Sequence, residues 1–236
     1  MTTTELLFGA NGAGTALQLK VSPRARVMRL KVDPRTGAVV LTVPRRTSQR
    51  KALEWAAGHR DWVEAQLAKV PPPERLGPGS TLPLFGRPHE IVWEPPRSRI
   101  PVLDGDRILV GGPEAGLEAR VLRFVRRLAA ETLARETQDS AAKCRVSVSR
   151  VGVGDPMSRW GSCSSSGAIR YSWRLIMAPD YVRKATVAHE VAHRVHMDHS
   201  PRFHALVDEL LGNGDAKPAR EWLRRNGASL HRIARV

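Results

Sequence analysis

Residues 187–203 read VAHEVAHRVHMDHSPRF, a stretch that holds four of the chain's eight histidines with one glutamate among them. His189 and His193 are four positions apart, about one turn of an α-helix, so a helix here sets both imidazoles on one face. Val187, Val191 and Val195 give that helix an apolar side to bury. Two imidazoles so placed can share a tetrahedral zinc ion. Glu190, adjacent to the first, can lean over an open coordination position and take a proton from a water there. His199 follows where the chain is expected to turn, because Ser200 is a good N-cap and Pro201 suits the first position of a new helix. A third imidazole delivered by the turn completes a site with one position left for water. His196 lies near the same face; as a fourth ligand it would close that position and leave the metal structural, and otherwise it lines the cleft. His204, on the next helix, has the same two options of cleft or ligand surroundings. Asp208 either orients a ligand imidazole through its outer N–H or is a solvated helix acid.

Working outward, RWGSCSSSGAIRYSWRLIMAP at 159–179 predicts a Ser/Gly-rich loop over 161–167 and a strand over 168–178, with the histidine helix starting near Asp180. A strand is expected in 145–154. Before it, Val121, Leu122, Val125, Leu128, Ala129 and Leu133 recur at helical spacing, which predicts a long helix from Pro113 to Ala142. The segment 71–112 begins with the Pro/Gly break PPPERLGPGS and continues into short strands. Residues 16–44 alternate apolar and polar, with a hairpin turn at Asp33–Gly37. Thr47 or Ser48 then caps one helix through 49–70, with Leu53, Trp55, Ala56, Trp62, Val63 and Leu67 on its apolar stripe. The organisation expected is therefore an N-terminal hairpin-plus-helix element (1–70), a linker with short strands (71–112) and a main domain (113–236), in an α+β chain.

A chain of 236 residues can bury a sufficient core without a staple, so a metal is not needed to fold it. Cys144 and Cys163 are too few for a disulfide framework. The opening residues lack the pattern of a secretory signal, and no run approaches a membrane span, so a cytoplasmic location with no membrane partner is expected. The formal charge of +15 favours polyanions, yet 31 of the 38 cationic residues are Arg scattered from Arg24 to Arg235 rather than massed in a tract. Nucleic acid is thus an open partner, and the sequence leaves the oligomeric state open.

The Trp-Gly-Ser-Cys turn in 159–179, the strand after it, and H-E-x-x-H-x5-H with Ser-Pro-x-Phe in 187–203 together resemble the YgjP-like metallopeptidases, relatives of the SprT/Spartan and WLM zinc proteases. VVLTVPRRTSQRKALEWAAGHRDWVEAQL extends the similarity over the N-terminal part. The resemblance implies a zincin-like fold, with the active-site helix against a small sheet, and hydrolysis of peptide bonds in a protein or peptide substrate. It implies one Zn2+ per chain, with His189, His193 and His199 as ligands and Glu190 as the catalytic acid/base. His196 and His204 depart from the residues usual in that family, which bears on substrate contacts. Metzincins share the ligand spacing but place Gly where His196 stands and carry a Met-turn, which this chain lacks.

His196, His204, Arg159 and Tyr171 are the candidate donors to an oxyanion. The strand AIRYSW is expected to be an edge on which an extended substrate adds. Cys163 is expected as a packed thiol near the cleft, and Trp160 and Gly161 as shapers of the turn beside the helix. Two rival readings stand beside the peptidase: a nucleic-acid-associated protein with structural zinc, and a DNA–protein crosslink protease of SprT/Spartan type.

Overall fold

The computed structural model of the chain describes residues 2–8, 14–33, 36–70, 74–212 and 215–234. It divides into two compact units, Met1–Pro73 and Glu74–Ala234. In the first, β1 (Thr2–Phe8), β2 (Thr15–Ser22), β3 (Arg29–Val32) and β4 (Val39–Pro44) form a sheet of order β1-β2-β4-β3. Val39, Leu41 and Val43 alternate inward along β4 and are fully buried, the period-2 pattern of a sheet with one wet face. The hairpin joining β3 and β4 closes where expected, Gly37 N–H donating to the Asp33 carbonyl at 2.8 Å.

The single helix expected over 49–70 is two, α1 (Gln49–Ala57) and α2 (Arg60–Leu67). Ser48 caps α1 by accepting from Lys51 N at 3.3 Å. The break falls at Gly58–His59: His59 leaves helical geometry, and its Nδ1 bonds the Trp55 carbonyl at 2.8 Å, occupying one of the acceptors that a helix end exposes. The change of direction lets Ala52, Ala56 and Val63 reach the sheet's core while Trp62, expected on the apolar stripe, stands 45% exposed.

The second unit opens with β5 (Thr81–Leu84), β6 (Arg87–Trp93), β7 (Val102–Asp104) and β8 (Arg107–Val110), ordered β5-β6-β8-β7. The sequence reading makes 71–112 a linker with short strands. Here Leu82, Leu84, Ile91, Ile108 and Val110 are buried in one core with the long helix α3 (Leu117–Lys143), so residues 74–112 are built into the second unit. Of the residues that read as a break, Pro78 and Gly79 sit in a turn leading into β5, and residues 71–73 lie outside the described residues.

Beyond α3, β9 (Arg150–Gly154), β10 (Gly161–Cys163) and β11 (Ala168–Ser172) form a sheet of order β10-β11-β9. The strand expected to reach residue 178 stops at Ser172 and becomes a 3-10 turn, Trp173–Met177, every residue of which is buried. Arg174 explains the change. Only 2% exposed, its guanidinium forms a fork to the Asp155 carboxylate at 2.7 and 3.0 Å, donates to the Leu230 and Ile233 carbonyls, and lies 4.5 Å from the centre of the Trp173 ring. A buried guanidinium needs this many partners, and an extended strand would point it out of their reach.

The histidine helix α4 (Asp180–Ala192) is followed by α5 (Pro201–Leu210) and α6 (Lys217–Leu230). Its start is fixed by Arg183, whose buried side chain bonds Glu136 of α3 at 2.7–3.0 Å and Asp180 at 3.0 Å beneath the Phe85 ring. That ion pair fastens α4 to the longest helix of the unit. No described helix is long and apolar enough to cross a membrane.

Candidate functional site

The inner face of α4 buries Val187, Ala188, Val191 and Ala192, which leaves His189 and His193 along its flank. His193 is the C-cap of α4: Arg194 N–H bonds the Val191 carbonyl, Val195 and His196 N–H bond that of Ala192, and the chain turns. The turn returns at Ser200, whose hydroxyl accepts from Phe203 N at 3.4 Å with Pro201 in the first turn of α5. His199 is thereby carried back to the helix. Its Nε2 lies 3.3 Å from Nε2 of His189, and one ligand nitrogen from each of His189, His193 and His199 lies within 4.8 Å of the others.

Beneath these rings lies Phe203, fully buried, with its centroid 4.6–4.9 Å from all three. An apolar floor of this kind limits the tilts open to the imidazoles and keeps water from their inner side. The sequence reading quotes Phe203 but assigns it nothing. Its signal was the spacing, four residues after His199 and two after a helix-starting proline.

Burial, and then the neighbouring His193 and His199, push the His189 imidazolium down to about pKa 4. Burial likewise lowers His193, against a hydrogen bond in which its Nδ1 meets the His196 carbonyl at 3.1 Å. Both shifts favour the neutral ring in His189 and His193, the form that ligates. The His196 bond also leaves Nε2 of His193 to face the cluster. Of the two readings of Asp208 the structure has the solvated helix acid: it is exposed on α5, no bond joins it to these rings among the described residues, and it is the His196 backbone that orients His193. The His196 side chain is half-buried and outside the converging set, and exposed His204 sits 6.3 Å from the His199 ring.

Glu190 is 6% exposed, and burial pushes its carboxyl up to about pKa 7, with Arg159 pulling the other way. The space for it is made by Gly161 of β10. A Cβ at that position would stand 2.4 Å from Oε1 of Glu190 and 2.6 Å from its Cγ, so any other residue would push the Glu190 side chain from its place. Next to it, Trp160 packs over Gly227 and the His231 ring of the C-terminal segment. Arg194, just past the helix, donates to the Ser147 and Ser165 carbonyls and ties the serine-rich loop down.

Tyr171 does not serve as a donor here. It is fully buried, its hydroxyl pairs with Thr137 Oγ1 at 3.0 Å, and burial pushes the phenol well above its usual range. Arg159 is exposed, yet near enough for Glu190 to feel its charge. The strand AIRYSW is no edge either: β11 is paired on both sides, and the edge beside the site is β10. Cys163 closes that edge strand half-buried, its thiol raised mainly by burial, and takes no part in the converging set. Cys144 caps the end of α3.

A family model described as YgjP-like, metallopeptidase domain, matches residues 26–226. No curated protein and no solved structure shows a significant match.

Proposed function

Since the chain belongs to the YgjP-like metallopeptidase family, we propose that it cleaves peptide bonds in protein or peptide substrates, with one zinc ion held by His189, His193 and His199 and with Glu190 as general base. The observation that carries the reading is the convergence of three imidazoles, His189 held neutral by burial, beside a buried carboxyl near pKa 7. Three nitrogen donors with one direction left open suit zinc in catalytic rather than structural use. Zinc held there would supply Lewis acidity, acidifying a water and polarising the scissile carbonyl.

The chain's own residues do the rest. Glu190 accepts the proton of the attacking water and returns it to the leaving amine, and a carboxyl poised near neutrality can do both. Gly161 keeps its Oε1 clear, and the His196 carbonyl holds His193 in one tautomer. The unpaired side of β10 offers N–H and C=O groups to an extended substrate, recognising main chain before side chain. Arg159, whose charge is felt by Glu190, stands with His196 and His204 as a side-chain donor for developing negative charge.

The test is zinc-loaded protein incubated with an unfolded protein, beside the Glu190→Gln variant at equal zinc content. The parent should cleave and the variant should lose at least about a hundredfold in rate, the scale of a general base. Equal rates would overturn the assignment.

A further inference from the structure

The sheet beside α4 has two faces with different contents. Gly161 and Tyr171 are opposed, as are Cys163 and Ile169, and this side carries the buried residues and the Glu190 contact. Ser162 and Arg170 are opposed on the other side, with Gly152 of β9 next in the row. With glycine at 152 and 154 no side chain of β9 fills this face there, and the Arg170 guanidinium lies across it, 3.1 Å from where a Cβ of residue 154 would stand. A cavity of about 480 Å³ opens on this face, lined by Asp155, Pro156, Arg159, Ser162, Arg170 and Tyr171.

The cavity is cationic. Asp155 is its sole acid, and Arg174 already holds that carboxylate in a two-bond fork. Arg159 and Arg170 have no ion pair or hydrogen-bond partner among the described residues. The cavity also adjoins the site: Gly161 touches the Glu190 carboxylate, and the next residue, Ser162, is in the cavity wall.

A peptide added along the free side of β10 alternates its side chains between the two faces. One set points to the Glu190 side, and the other lies over Ser162, Arg170 and Arg159. We propose that this cavity is a subsite for a substrate Asp or Glu side chain, set at an alternate position from the residue facing Glu190, so that the enzyme favours acidic peptides. The proposal rests on the peptidase reading above. A guanidinium facing a carboxylate gives paired, directional hydrogen bonds, and Ser162 adds a hydroxyl donor.

The experiment uses one host peptide cut by the zinc-loaded full chain, with a single Glu, Gln or Lys walked through the positions flanking the cleaved bond. Glu should beat Gln roughly tenfold in kcat/KM, the scale of one charge-assisted hydrogen bond in a half-exposed site. The gain should fall at alternate positions, be expressed in KM, and shrink as salt is added. Arg170→Gln should erase the Glu-to-Gln ratio, and Arg170→Glu should turn the preference toward Lys; Arg170 is exposed, so both should melt with the parent. An unchanged ratio in Arg170→Glu, with cleavage intact, overturns the subsite and leaves the peptidase standing. Binding of fluorescent Glu and Gln peptides to the Glu190→Gln variant gives a readout that needs no turnover. A Glu preference there that depends on Arg170, with no cleavage by the parent, sustains the subsite and sinks the peptidase; no preference in either assay overturns the subsite.

Discussion

Replacing Glu190 by Gln should shift the stability of the metal-free protein in the variant's favour as pH rises. The carboxyl ordinarily titrates at 4.5 and is pushed up to about 7 by burial in the folded chain. The folded state thus keeps a proton that the unfolded state gives up between those values, and the parent loses stability as pH rises through that window. Taking the two values at face, the cost of burying the carboxylate is about 0.8 kcal/mol at pH 5 and about 3.3 kcal/mol at pH 8. An amide in its place carries a desolvation penalty of its own, roughly 1–3 kcal/mol, that does not change with pH. The pH-dependent part is therefore the diagnostic one: between pH 5 and pH 8 the variant should gain about 2.5 kcal/mol on the parent, or roughly 5–10 °C in Tm for a domain of this size. His189, held down near 4, titrates in both proteins and cancels to first order. Calorimetry on chelator-treated parent and Glu190→Gln at the two pH values, at constant ionic strength, measures it. Zinc, by favouring the ionised form, should shrink the gap in the loaded protein. A Tm difference between the two proteins that is the same at pH 5 and pH 8 would refute the claim that burial holds this carboxyl near neutrality.

Other residues carry separate tests. Gly161→Ala puts a methyl 2.4 Å from Glu190 Oε1, so activity should fall about a hundredfold or more while elemental analysis still finds zinc. His189→Ala, His193→Ala and His199→Ala should each lose zinc on dialysis while the apo protein stays folded by circular dichroism, because the core of the unit does not depend on the metal. His196→Ala should retain zinc, since its backbone carbonyl and not its ring serves His193; loss of metal on dialysis would return its imidazole to the ligand set. Glu136→Ala leaves Arg183 buried with only Asp180, which should cost about 3 kcal/mol in denaturant unfolding; a change under 1 kcal/mol would show that the pair does not fasten α4.

The convergence of three imidazoles was legible because helical period and helix-stop chemistry are local: His189 and His193 by spacing, His199 by the Ser200–Pro201 start that follows it. The α+β class and the long α3 were legible from periodicity for the same reason. What failed was non-local. Nothing near Trp173 in sequence says that Arg174 will find Asp155 and the carbonyls of Leu230 and Ile233, so the strand read too long. Nothing near residue 168 says which neighbours β11 will take, so a central strand read as an edge. Tyr171 looked like an accessible donor because Thr137, which takes its hydroxyl, lies on a helix far upstream. His59 split a helix by a bond to its own i−4 carbonyl, a local event that the apolar stripe concealed. Pro78, Gly79 and Gly86 marked turns, but the apolar residues around them belong to a core that α3 completes.

The contact between Gly161 and Glu190 has a consequence for how this sequence can drift. Every other amino acid carries at least a Cβ, and at position 161 that one atom already overlaps the carboxylate. Any substitution there meets the carboxylate first through its Cβ, alanine and arginine alike, before the rest of the new side chain matters. The side chain at 190 would then have to swing aside or shorten, and either withdraws the carboxylate from the place it now holds. Positions 161 and 190 are therefore coupled: a change at the first is read through the geometry of the second.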